Sequence, residues 1–124
     1  MFFKNKKNET NIVKEIKKNE SELRENIELF LGQLDSEEGT KRTKVLNELG
    51  KFYFDLNEID NAIKYYEISI NENRSLGQAY TDLTKLYNIK RKEAVDAKDD
   101  ELVQVYLNKL DDLMKQSKDV IRGL

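Results

Sequence analysis

Four residue types are missing from this 124-residue chain: cysteine, histidine, proline and tryptophan. Without cysteine there is no disulfide, no thiolate nucleophile and no sulfur ligand for a metal. Without histidine the usual general base near neutral pH is gone, and with it the commonest zinc ligand. Carboxylates, lysines, tyrosines and hydroxyls remain. Asp99, Asp100, Asp111 and Asp112 offer paired acids, but neighbouring acids on a helix point in different directions and serve helix starts and solubility. No phosphate-cradling glycine loop and no metal-ligand spacing occur. The sequence therefore implies a protein that is not an enzyme and holds neither metal nor cofactor.

The other shortages concern shape and location. Proline breaks helix interiors and punctuates turns, so its absence favours long helices; glycine is also scarce, at five residues. No run approaches the ~20 apolar residues of a membrane span. Only Phe2 and Phe3 precede a charged stretch, which is no secretory signal, so Asn8-Glu9-Thr10 and Asn73-Arg74-Ser75 read as chance glycosylation sequons. A cytoplasmic protein is expected. The abundance of lysine, asparagine and isoleucine suggests an AT-rich genome, bacterial or from a mobile element. The 22 basic and 24 acidic residues leave a net charge of −2, no bulk attraction for nucleic acid. Lysines are in excess over residues 1–18, yet lack aromatics interleaved on a structured face. Residues 1–8, with Lys4, Lys6 and Lys7 behind two phenylalanines, read as a basic flexible tail. Each lysine adds only ~1 kcal/mol near an anionic surface, so membrane contact is not expected.

What the chain does contain is helical periodicity. With 38% hydrophobic and 37% charged residues, it suits thin, two-layer helical packing with much solvated surface, and its length fits one domain with a real core. Ile12, Ile16, Leu23, Ile27, Phe30, Leu31 and Leu34 recur at three-, four- and seven-residue steps and predict a first helix over 9–34. Asp35 to Gly39 breaks it. A second helix is expected from Thr40 to Leu56 and a third from Ile59 to Asn71, with Asn57 in a tight left-handed turn between them. The fourth spans Leu76 to Ala97, with Tyr80, Leu83, Leu86, Tyr87 and Val95 as its apolar positions. Lys98 to Asp100 forms a turn in which Asp99 or Asp100 caps a fifth helix carrying Leu102, Val103, Tyr106, Leu110, Leu113, Met114, Val120 and Ile121. The expected fold class is all-α: a single antiparallel helical-hairpin stack of about five helices over residues 9–124.

Residues 43–76 form a 34-residue unit. Leu46, Leu49, Gly50 and Tyr53 lie along its first helix, and Ala62, Tyr66 and Ser69 along its second; Phe54, Asn57, Ile59, Ile63 and Ile70 flank them. Gly50 and Ala62, with little or no side chain, let the helices approach, and the large residues fill the seam. A glycine inside a helix costs roughly 1 kcal/mol against alanine, so it points to a steric reason. In these positions the unit resembles one repeat of the tetratricopeptide family, departing at Arg74, where that family usually has proline. A second, divergent unit over 77–121 repeats the first-helix stripe as Tyr80, Leu83, Thr84 and Tyr87. Its second-helix positions, Tyr106, Leu110 and Leu113, arrive about ten residues late, which implies that both helices are lengthened. Tyr106 is large where the family has a small residue, so this pair would cross less closely. Residues 9–34 read as an extra helix capping the first unit.

The resemblance implies a stack of helical hairpins whose first helices line a concave surface for an extended or helical peptide, a TPR-like α-solenoid. Carried over by position, that surface holds Lys44, Asn47, Glu48, Lys51, Phe54 and Asp55 from one unit. Gln78, Thr81, Asp82, Lys85 and Asn88 come from the next. Lys51 and Lys85 are equivalent and would receive a carboxylate or an acidic segment. The function implied is a non-catalytic adaptor that binds a protein or peptide partner. The alternatives are a small regulator masking a larger protein with its outer helices, and a membrane-surface assembly factor. Repeat arrays need about three units to bury their faces. With two pairs and one helix, the stripes Ile12, Val13, Ile16 and Val120, Ile121 are expected to stay open and to favour a homo-oligomer or an obligate partner.

Overall fold

A computed structural model describes the backbone of residues 2–74 and 76–123, and the side chains of residues 11–15, 17–74 and 76–123. Five helices follow one another: α1 (Phe2–Leu34), α2 (Gly39–Asp55), α3 (Ile59–Glu72), α4 (Gln78–Asp96) and α5 (Asp100–Ile121). No strand occurs among the described residues. The chain is an all-α antiparallel stack. Each helix packs on the next, and α2 also touches α4.

The helices end where backbone chemistry makes them end. After α2, Asn57 takes φ +60°. Its N–H donates to the Phe54 carbonyl and the Glu58 N–H to the Tyr53 carbonyl, both at 2.9 Å. After α4, Lys98 takes φ +55°, and the Lys98 and Asp99 N–H groups donate to the carbonyls of Val95 and Ala94 at 3.0 and 2.9 Å. Both turns are Schellman closures, which satisfy the last helix carbonyls. Asp99 then caps α5 by accepting from the Leu102 N–H at 3.1 Å. Gly39, the residue expected to break the first helix, has φ +62°.

The helix boundaries agree with the sequence reading to within two residues except at the start. There α1 begins at Phe2, not near Glu9. No proline or glycine interrupts residues 2–31, and lysine and asparagine cost little in a helix already under way, so the backbone of the expected tail continues the helix. The second hairpin is the longer one, with 19 and 22 residues in α4 and α5 against 17 and 14 in α2 and α3.

Two clusters make the core, one on each side of α3. Tyr65 faces Ile27, Val45, Leu46 and Leu49 on α1 and α2. Tyr66, Ala62, Ile63 and Ile70 face Leu83, Leu86 and Tyr87 on α4 and Leu113 on α5. Apolar area removed from water at roughly 25 cal/mol per Å² is what holds such a stack. Gly50 has a more specific task than letting two backbones approach. A Cβ there would lie 2.7–2.9 Å from three ring carbons of Tyr66, so the glycine is the seat for that ring. Three apolar positions also differ from the periodicity. On α4 the buried residue is Ala94 while Val95 is half exposed. On α1 Leu31 is exposed, and on α5 Met114 is exposed. The apolar stripes are wider than the strips the neighbours cover.

Candidate functional site

The contact between α2 and α4 puts the outward sides of these two helices next to one another. Between them lies a cleft of about 420 Å³ lined by Lys51, Phe54 and Asp55 from α2 and Gln78 and Asp82 from α4. All five are among the residues the sequence places on the concave surface, and each helix supplies them at helical spacing, so one face of each is enough.

The floor of the cleft is fixed by a buried polar cluster. Asp82 is 7% exposed. One carboxylate oxygen accepts the Tyr66 hydroxyl at 2.7 Å, and the other accepts the Gln78 amide at 2.7 Å. Burial, and after it the hydrogen bond to Asp82, push the Tyr66 phenol well above its ordinary value. The ring seated on Gly50 is thereby tied to α4, so α2, α3 and α4 are fastened at one point. Phe54 is half buried against the core and offers only its outer edge. Lys51 and Asp55 are exposed at the mouth.

The remaining expected groove residues are placed differently. Lys44, Thr81 and Lys85 are exposed, and Glu48 is half buried; none of them lines the cleft. Asn47 accepts the Ser69 hydroxyl and so ties α2 to α3. Asn88 donates to the Thr84 carbonyl at 3.1 Å and accepts from Arg91 Nε at 3.4 Å. Lys51 shares the cleft lining with two carboxylates, Asp55 and Asp82, and not with a second lysine. Lys85 lies outside that lining, which is of mixed charge with an aromatic edge.

A polar constellation absent from the sequence reading lies on the opposite side, between α3, α4 and α5. Glu67 accepts the Tyr87 hydroxyl at 2.5 Å and Lys109 Nζ at 2.9 Å, and that ammonium stands 5.6 Å from the Tyr87 ring centroid. Burial and then the bond to Glu67 raise the Tyr87 phenol far above its usual range. The small pocket beside it, of about 160 Å³, includes Asn71, Asp112 and Gln116. A charge-assisted network of this kind fixes α5 onto α3. The only sequence signal for it is Glu67 following the motif residue Tyr66.

Among the described residues no cluster of acids is placed to hold a metal ion, and no helix is long and apolar enough to cross a membrane. Set against protein-family models, curated proteins and solved structures, the chain matches none of them.

Proposed function

We propose that the chain is a non-catalytic protein-interaction module of tetratricopeptide type that holds an extended peptide of a partner protein in the α2/α4 cleft. The observation that carries this reading is the lining of that cleft. Five side chains from two helices converge there, Asp82 among them held by the Tyr66 hydroxyl and the Gln78 amide. An aromatic edge, one cation, one exposed carboxylate and a primary amide suit a peptide with an apolar side chain between charges of both signs. Its backbone would bond Gln78 and its charges would pair with Lys51 and Asp55. The 34-residue spacing of the repeat signature supports the same reading, and a cytoplasmic setting belongs to it.

The test is selection from a displayed library of random peptides, followed by fluorescence anisotropy of the enriched sequences. Binding by wild type that falls at least tenfold in Lys51→Glu and in Asp55→Lys, with Lys44→Glu unaffected, is expected. Enriched peptides that bind all four proteins equally would remove the cleft from the account.

A further inference from the structure

Among the described residues the outer side of α5 has no neighbour in the stack: α5 packs chiefly along α4, and α3 reaches its inner side at the Glu67–Lys109 pair and around Leu113. Its apolar surface nevertheless extends well past that contact. Val103, Leu107, Leu110, Met114, Ser117 and Ile121 follow one another at steps of four and three, the spacing of a coiled-coil seam. Three of them are open to solvent: Leu107 at 43%, Met114 at 52% and Ile121 at 74%. The seam overlaps the expected open stripe only at Ile121, since Val120 is half buried and lines a small apolar groove with Ile70, Tyr80 and Leu113.

The charges beside the seam specify what fits it. Along its solvent flank stand Asp100 at the start of α5, Asp111 at its middle, and Lys118 and Arg122 at its end. A second α5 laid antiparallel sets Val103 opposite Ile121, Leu107 opposite Ser117 and Leu110 opposite Met114, which closes the whole seam. The same register brings the Asp100 end of each helix to the Arg122 end of the other. Asp111, which meets its own symmetry mate at the centre, already pairs with Lys115 of its own chain at 3.2 Å. A parallel two-fold arrangement would set like ends of the two helices side by side and turn each solvent flank toward the partner's core-side flank, so Asp100 and Arg122 could not pair. We infer that the chain forms a two-fold homodimer through antiparallel pairing of α5, an isologous contact in which every pair is made twice. The seam shares no residue with the α2/α4 cleft, so dimerisation leaves peptide binding intact.

Sedimentation velocity of the full chain from low to high micromolar concentration should show a monomer–dimer equilibrium. Leu107→Glu with Met114→Glu should abolish the dimer while the helical circular dichroism is kept, because both side chains are exposed. Arg122→Asp should weaken the dimer about tenfold, since two exposed pairs are lost together, and adding Asp100→Arg should restore it. The chain has no cysteine, so Val103→Cys and Ile121→Cys can be placed in separate, differently tagged copies. On oxidation the mixture should yield the cross-link between the two variants. A monomer at every concentration, a dimer indifferent to the α5 substitutions, or cross-links only between like variants would each overturn the inference.

Discussion

Tyr66 is the residue on which most of the molecule depends. Its ring rests on Gly50, and its hydroxyl reaches Asp82 on α4. Gly50→Ala gains helix propensity but puts a methyl inside the contact distance of a ring that is fully buried and tethered. It should therefore destabilise the chain by about 1–3 kcal/mol in a urea melt, the opposite of the usual glycine-to-alanine gain in a helix. The two buried phenols also set an alkaline limit. Their folded pKa values lie above the unfolded value of about 10. Their stabilisation is complete below pH 10 and is lost as pH rises past it, where the unfolded chain releases protons the folded chain retains. Stability should fall by about 1.4 kcal/mol per pH unit for each tyrosine above that pH. Urea melts of Tyr87→Phe at pH 8 and pH 11 should show a shallower fall than wild type. Gly50 was legible in the sequence as a steric site because a mid-helix glycine calls for a reason. Tyr66 was legible as one of four side chains, with Leu46, Leu49 and Tyr53, around that seam; that its ring alone is seated on the glycine was not, since that depends on how the helices are rotated.

At the scale of elements, the ends of helices were the most readable part of the chain. Asn57 and Asp99 occupy the turn and cap that their side-chain chemistry suits. Lys98 occupies the same left-handed position as Asn57 without that advantage, so Lys98→Gly should stabilise the fold by about 0.5–1 kcal/mol, measurable by thermal or urea denaturation. The reach of α1 was not legible. Arg24 on α1 meets Glu58, just past the end of α2, at 3.1 Å. Every described side chain from Asn11 to Glu22 is exposed. Periodicity carries Ile12 on the same stripe as Ile27 and Phe30, but it does not report that α2 is too short to cover it: α1 has 33 residues and α2 has 17. Amide hydrogen exchange should be fast across residues 11–22 and slow from Ile27 to Leu34.

For the molecule as a whole, the stack and its two-hairpin order follow from a proline-free chain with a 34-residue signature. Five of the eleven residues assigned by position to the concave surface line the cleft between α2 and α4. The other six depart for local reasons. Asn47 and Asn88 bond groups of the stack itself, and Lys44, Glu48, Thr81 and Lys85 lie outside the cleft lining. The most direct test of the interaction role is an amide chemical-shift map of the isotope-labelled chain titrated with a peptide selected against it. Binding in the cleft predicts shifts concentrated at Lys51, Phe54, Asp55, Gln78 and Asp82, with α5 from Leu107 to Ile121 unmoved. Shifts confined to α1 or α5, with those five amides unchanged, would contradict it.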